Sequence, residues 1–354
     1  MRKVALVTGA TGVTGTPFTE QLLRDAQWQR VYAVSRRRPR LAADVANDRL
    51  THLAVDLDDE TATHGGLAAC PDVTHVFHCA NHGDSIIRTR MLRHLLDALE
   101  AHAGDFANIN LLQGTKYYGC HLGPFRTPAC ETDPRVPDAD FYYAEEDLVR
   151  GRQTGRPWTW TAVRPHSVCG YAEGNPMNLA VVLALYGAML KELGRPFVFP
   201  GNEACYSALF QVTDAQLLAR SALWVSTHAQ CANEAFNVGN GDWFRWRNVW
   251  PRLAAWFGLE PAGPQSCRLP EFLADHEALW QRMSEKYGLR PFPYGRASAW
   301  AQGDYRPPNS RMSCEYDVLS DTLKIRQRGF NEVRESGGMF LDIFERCRRE
   351  RVIP

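Results

Sequence analysis

The fold is decided by the stretch Lys3-Val-Ala-Leu-Val-Thr-Gly-Ala-Thr-Gly-Val-Thr-Gly15. The segment from Val4 to Thr8 is apolar and rich in β-branched residues, which predicts a strand buried on both faces of a parallel sheet. Glycines then recur every third residue, and Pro17 falls in the first turn of a predicted helix, where its missing N–H costs little. A strand, a glycine turn and a helix N-terminus together form a site for a pyrophosphate, because free N–H groups point at the phosphates.

The spacing of Gly9, Gly12 and Gly15 resembles that of the short-chain dehydrogenase/reductase (SDR) superfamily. The alternative interpretation is an ordinary turn between strand and helix. The resemblance implies an α/β fold, a Rossmann-type doubly wound parallel sheet of the extended SDR kind, with a smaller, mostly helical C-terminal substrate domain. We expect the NADP-binding core in residues 1–170, rejoined by residues 207–242, and a substrate-binding cap in residues 171–206 and 243–354.

Composition narrows the class of protein. The formal net charge of +0 argues against nucleic acid or an anionic membrane as the main partner. We find no signal peptide before the first strand and no run approaching ~18 apolar residues, so neither secretion nor a membrane span is expected. The 10 cysteines are scattered without a Cys-x-x-Cys pair, which favours a reduced, cytoplasmic enzyme over a disulfide framework or a metal site.

The end of the second predicted strand carries Ser35, Arg36, Arg37 and Arg38 and no acidic residue. In a dinucleotide-binding fold this position meets the adenosine ribose, where an acid selects NAD and an arginine accommodates the 2′-phosphate of NADP. A guanidinium pairs with phosphate through two charge-assisted hydrogen bonds. The sequence therefore favours NADPH as cofactor, and a solvated basic loop is the alternative.

Further strands and helices alternate along the chain. The apolar pattern predicts strands over 50–59, 72–80, 159–165 and 234–238, and a fifth strand in 106–119 that runs into a loop. It predicts helices over 60–70, 85–103, 177–193 and 243–257, and further helices that start near 140 and 213. Phe340 and Phe344, one helical turn apart, are expected in the core. Ligands of open α/β sheets lie outside the carboxyl ends of the strands, so Gln113, Thr115, Lys116 and Tyr117 fall at the ligand edge.

One expected motif is missing. Most SDR enzymes carry Tyr-x-x-x-Lys on the helix that begins near residue 140, where the lysine stabilises the ionised tyrosine. Here Tyr142 is followed at that spacing by Glu146, and Tyr143 by Asp147, and no other tyrosine has the lysine. Lys116, at the end of the fifth strand, is the natural replacement. Glu146 is expected to be a structural carboxylate.

This displaced lysine resembles the progesterone 5β-reductase/iridoid synthase-like (PRISE) family. Similar motifs extend over nearly the whole chain: Gly114-Thr-Lys-Tyr-Tyr118, Gly123-Pro-Phe125, Phe141-Tyr-Tyr143 with Glu145-Glu-Asp147, Thr74-His-Val-Phe77, Trp158-Thr-Trp-Thr-Ala-Val-Arg-Pro165, Pro176-Met-Asn178, Asn233-Glu-Ala-Phe-Asn-Val238 and Arg351-Val-Ile-Pro354. The family resemblance implies NADPH-dependent 1,4-reduction of enones or enals, small-molecule substrates, with Lys116 and Tyr142 as the catalytic pair. The superfamily also makes a homodimer a further expectation.

The same resemblance implies the remaining site residues. The cofactor would contact Gly9, Thr11, Gly12, Val13, Ser35, Arg36, Arg37, Asp56, Leu57, Gln113, Tyr142, Pro165, Ser167 and Val168. The substrate pocket would include Asn81, Phe125, His166 and Met177.

The chain also departs from the plant members of the family. It has His78-Cys-Ala-Asn-His-Gly-Asp84 after the fourth strand, the additional Cys120-His-Leu122, and His166 in place of glycine. A steroid or a monoterpene enal therefore cannot be carried over as substrate. Two further functions remain open: a carbonyl reductase or alcohol dehydrogenase using the same Tyr and Lys, and a non-catalytic NADP(H)-binding regulator.

Overall fold

A computed structural model describes residues 3–137, 142–172, 178–295, 312 and 314–354. Its strands are β1 (Lys3–Thr8), β2 (Trp28–Val34), β3 (Leu50–Leu53), β4 (His75–His78), β5 (Asn108–Leu112), β6 (Thr159–Pro165), β7 (Ser167–Cys169), β8 (Phe197–Phe199), β9 (Val212–Asp214), β10 (Glu234–Val238) and β11 (Pro261–Pro264). Seven of them form one parallel sheet in the order β10-β6-β5-β4-β1-β2-β3. This strand order confirms the predicted Rossmann-type architecture.

Helices cover both faces of this sheet. The described residues form the α-helices α1 (Gly15–Arg24), α2 (Glu60–Ala68), α3 (Ser85–His102), α4 (Tyr143–Gln153), α5 (Leu179–Glu192), α6 (Glu203–Ser207), α7 (Ala215–Thr227), α8 (Trp246–Phe257), α9 (Leu269–Asp275), α10 (Glu277–Tyr287), α11 (Leu323–Gln327) and α12 (Ser336–Arg349). Side chains alternate along β1: Val4 and Leu6 pack with α2, α3 and α4, whereas Ala5 and Val7 pack with α1 and α7. A strand buried on both faces explains the continuous apolar run in the sequence.

A third hydrophobic core lies in the C-terminal half. It joins α5, α8, α9, α10 and α12, and its centre is aromatic: Trp246, Trp250, Phe340 and Phe344 are fully buried. The expected core positions of Phe340 and Phe344 are confirmed. The boundary between nucleotide and substrate domains stays a prediction. Among the described residues, no helix combines the length and apolar character needed to cross a membrane.

The third strand is shorter than predicted. It ends at Leu53, although the sequence suggested a strand reaching Asp59. The segment beyond it turns, and the Asp59 side chain accepts a hydrogen bond from the Ala62 N–H at 2.9 Å, which caps α2. Side-chain capping by aspartate competes with strand extension. Likewise, α8 begins at Trp246 rather than Trp243.

Candidate functional site

A cleft of about 910 Å³ lies at the carboxyl edge of the sheet. This is where parallel α/β sheets bind ligands. Most of the predicted site residues line it: Gly9, Thr11, Gly12, Val13, Ser35, Arg36, Arg37, Asp56, Leu57, Asn81, Gln113, Lys116, Tyr142, Pro165, His166 and Val168.

Two predicted residues lie elsewhere. Phe125 does not line this cleft and instead packs edge-on against Tyr316, with ring centroids 6.5 Å apart. Ser167, in β7, also lies outside the lining although its neighbours His166 and Val168 belong to it, because successive side chains of a strand point to opposite faces. The predicted pocket residue Met177 lies outside the described residues.

The glycine turn brings β1 close to β4. Gly9 has φ +63°, and a Cβ there would lie 2.7 Å from the Ala80 nitrogen and the Cys79 carbonyl oxygen. Only glycine combines this conformation with so close an approach. At the start of α1, Thr14 makes no side-chain capping bond within the described structure. Gly12, Val13 and Thr14 line the cleft, so the helix N-terminus opens onto it and fits a pyrophosphate.

Two arginines stand at the end of the cleft reached from β2. Arg36 and Arg37 are exposed and line it, and no described residue forms an ion pair with either of them. The loop is held by Ser35, whose hydroxyl donates a hydrogen bond to the Arg37 carbonyl oxygen at 2.6 Å. Two guanidinium groups that form no ion pair with a described residue fit a phosphate dianion.

The other end of the cleft holds Lys116 and Tyr142. Lys116 is the second residue of a 3₁₀ helix (Thr115–Tyr118) that follows β5 and ends at Gly119, with φ +76°. Tyr142 directly precedes α4. Its hydroxyl lies 3.2 Å from the position that a Cβ on Gly114 would take. Residues far apart in sequence thus place an ammonium and a phenol in one cleft, an arrangement suited to stabilising negative charge on a substrate oxygen.

Arg164, buried at the end of β6, anchors the segment that carries Lys116. Its guanidinium donates hydrogen bonds to Gln113 Oε1 at 2.7 Å, Glu146 Oε2 at 2.9 Å and the Tyr118 hydroxyl at 3.1 Å. The guanidinium carbon lies 3.4 Å from the centroid of the Tyr117 ring. The side chain of Gln113, a predicted cofactor contact, is therefore occupied by Arg164 and Glu146, although the residue borders the cleft.

Glu146 has a structural environment. Burial favours a higher pKa, but Arg164 and the hydrogen bond from Gln113 outweigh it, so the pKa of Glu146 lies below its ordinary value. The residue does not line the cleft.

His166 is tied to the C-terminal region. Its Nε2 lies 2.8 Å from the Ser320 hydroxyl oxygen, and its backbone N–H donates to Thr213 Oγ1 at 3.0 Å. The part of the cleft beside His166 is thus connected to residues far along the chain.

Arg88 and Glu145 also line the cleft, although neither is among the site residues expected from the sequence, and a hydrogen bond of 2.8 Å joins them. A signal was present. Arg88 falls on the stripe of α3 that buries Leu92, Leu95 and Leu99, and an arginine on a buried stripe requires an acidic partner. Only the packing of α3 on α4 identifies that partner as Glu145.

Comparison with known proteins agrees with this architecture. The model of the PRISE-like Rossmann-fold domain matches residues 5–354. A short chain dehydrogenase of Penicillium aethiopicum, gsfE, is 30% identical, covering 100% of both chains. The 3-oxo-Delta(4,5)-steroid 5-beta-reductase of Arabidopsis thaliana is 29% identical, covering 99% of this chain and 93% of the relative.

Solved structures of low identity share the fold. UDP-glucose 4-epimerase of Thermotoga maritima, solved with UDP-glucose, has a TM-score of 0.67 at 17% identity, covering 98% of this chain and 99% of that one. The Thermus thermophilus enzyme of that name, solved with NAD, has a TM-score of 0.63 at 17% identity, covering 97% and 99%. With the family model matching almost every residue, the chain belongs to the PRISE-like Rossmann-fold family of extended short-chain dehydrogenases/reductases.

Proposed function

We propose that this protein is an NADPH-dependent reductase that adds hydride to the β-carbon of α,β-unsaturated carbonyl compounds. The observation that carries the proposal is that Lys116 and Tyr142 line the same cleft. Arg36 and Arg37 line the other end of that cleft. The names of relatives add support, since they include a 3-oxo-Delta(4,5)-steroid 5-beta-reductase and (S)-8-oxocitronellyl enol synthases.

The cleft fits the cofactor along its length. The glycine turn and the N-terminus of α1 would hold the pyrophosphate, Arg36 and Arg37 the 2′-phosphate, and Asp56 with Leu57 the adenine. When bound, NADPH supplies the hydride. Tyr142 donates a hydrogen bond to the substrate carbonyl oxygen, where negative charge develops as the β-carbon is reduced. Lys116 adds a positive charge at the same end of the cleft, which favours the anionic enolate. A proton from solvent then adds to the α-carbon and completes the saturated carbonyl product.

The first experiment compares two rings that differ only in the C=C bond. Oxidation of NADPH is followed at 340 nm with 2-cyclohexen-1-one and with cyclohexanone, and the products are identified by NMR. We expect consumption with the enone only, yielding the saturated ketone. Consumption with cyclohexanone alone would identify a carbonyl reductase instead. Progesterone and 8-oxogeranial in the same assay measure the size of substrate that the cleft accepts.

Failure of every enone to react, together with tight NADPH binding, would favour the regulator over the enzyme. The homodimer also remains a prediction.

Cofactor preference is tested by replacing Arg36 and Arg37 with alanine. Each charge-assisted hydrogen bond to a phosphate contributes about 1.5–3 kcal/mol, so losing one such bond from each arginine should raise the Kd for NADPH by roughly 100-fold or more. The Kd for NADH, which lacks the 2′-phosphate, should stay within about twofold. Arg38→Ala is the matched control, because Arg38 is an exposed neighbour that does not line the cleft. Equal losses of NADPH and NADH affinity would contradict the assignment.

A further inference from the structure

Arg88, Glu145 and His78 form a buried polar cluster in and behind the wall of the cleft, beside Tyr142. Their exposed fractions are 2%, 6% and 3%. Arg88 Nε donates to Glu145 Oε2 at 2.8 Å, and His78 Nε2 lies 4.0 Å from Glu145 Oε1. The guanidinium carbon of Arg88 is 5.3 Å from the centroid of the Tyr142 ring. The cluster thus lies beside the ring of Tyr142, the proposed hydrogen-bond donor to the substrate.

Burial shifts the pKa values of two groups in this cluster, His78 and Glu145. Burial lowers the pKa of His78 to about 4, and the positive charge of Arg88 acts in the same direction. His78 is therefore neutral near pH 7, with its Nδ1 3.0 Å from the Thr8 hydroxyl oxygen. Burial raises the pKa of Glu145, and Arg88 opposes that rise. The Arg88 guanidinium donates to the Glu145 carboxyl group, and this hydrogen bond holds the two side chains in place.

The Arg88–Glu145 pair connects α3 to the start of α4, and Tyr142 directly precedes α4. Arg88 belongs to the first turn of α3, and Glu145 to the first turn of α4, immediately after Tyr142. A planar guanidinium held by a carboxylate is a rigid neighbour for an aromatic ring. The hydroxyl of the same ring faces Gly114. The Tyr142 ring therefore lies between the Lys116 segment and the Arg88–Glu145 pair.

We propose that Arg88, fixed by Glu145, is a positioning residue for Tyr142. It holds the phenol in the orientation in which the hydroxyl donates to the substrate carbonyl oxygen, and so acts on turnover rather than on cofactor binding. This inference rests on the proposed reductase function. An error of about 1 Å in the placement of a reacting group can lower the rate on the order of 100-fold. A buried ion pair that fixes the position of the Tyr142 ring therefore affects the rate of the reaction.

The test is a double-mutant cycle in enone reduction. Arg88→Met should lower kcat roughly 10- to 100-fold, while the Kd for NADPH stays within about twofold. In the Tyr142→Phe background the same substitution should have little further effect, because the group that Arg88 positions is gone. Arg88→Lys should restore part of kcat.

Two variants separate positioning from helix packing. Arg152→Met removes another ion pair between α3 and α4, in which Arg152 lies 2.7 Å from Asp97 and Glu100 and does not line the cleft; it should leave kcat unchanged. The double variant Arg88→Met/Glu145→Gln carries no buried unpaired carboxylate, and should show the loss of kcat if Arg88→Met alone does not fold.

The inference is overturned if Arg88→Met keeps the kcat of the unmodified enzyme. It is also overturned if Arg88→Met lowers kcat as much in the Tyr142→Phe background as it does alone. Absence of enone reduction in the unmodified enzyme would instead refute the proposed function itself.

Discussion

Tyr142→Phe is expected to lower kcat for enone reduction by about 100- to 1,000-fold, the usual effect of removing one hydrogen-bond donor to a developing oxyanion. The ring and its contact with Arg88 remain, so the fold should not change. The measurement is steady-state oxidation of NADPH at 340 nm with saturating cofactor.

The matched control is Tyr287→Phe, which removes an exposed phenol hydroxyl bonded to Glu192 Oε2 at 2.6 Å. It should retain full turnover. If Tyr142→Phe also turned over at the unmodified rate, Tyr142 would not be the donor and the proposed mechanism would be wrong.

Among the substitutions proposed here, Arg164→Met is expected to lower the free energy of unfolding the most. Arg164 and Glu146 are 1% exposed each, and removing one partner of a buried ion pair typically costs about 3–5 kcal/mol. Glu146 keeps a second cation, Arg150, 2.9 Å from its Oε1, so we expect a loss near the lower end of that range, about 3 kcal/mol. The urea midpoint at pH 7 should fall accordingly. Turnover of the folded fraction should fall too, since the Lys116 segment loses its anchor.

The loss should depend on pH in a defined direction. The folded-state pKa of Glu146 lies below its ordinary value of 4.5, so this carboxylate contributes stability above that value and loses it as the pH falls through the folded-state pKa. The difference between Arg164→Met and the unmodified protein should therefore shrink below about pH 4.5. A difference that grows on acidification would contradict this account.

Arg220→Met provides the comparison at the surface. Its ion pair with Glu332 has side chains 37% and 48% exposed, and such pairs contribute about 0–1 kcal/mol. A loss as large as that of Arg164→Met would show that the buried network around Arg164 has no special role.

The sequence predicts the nucleotide-binding half well because its signals are local. The glycine turn follows directly from Gly9, whose positive φ and contact with β4 exclude a side chain. The sixth strand and β10 have the predicted limits. Strand ends near polar residues were less predictable, as at Leu53, because a capping aspartate acts on the next helix rather than on the strand.

The wall of the cleft was harder to predict, since it depends on how helices pack. Arg88 and Glu145 meet only because α3 lies against α4. Phe125, which the family resemblance places in the substrate pocket, packs with Tyr316 from the C-terminal part of the chain and against the tyrosine cluster of Tyr117, Tyr118 and Tyr143. The periodicity of apolar residues within one segment cannot predict a contact between two segments that lie far apart in the sequence.

The strand order has a consequence for synthesis of the protein. Strand β6 ends at Pro165, but its neighbour β10 begins only at Glu234, after the chain has built α5 to α7. While the ribosome is making that intervening segment, β6 exposes a hydrogen-bonding edge that can pair with other nascent chains. The seven-stranded sheet is therefore completed late, and β6 keeps an unpaired edge until the residues up to Val238 have been made.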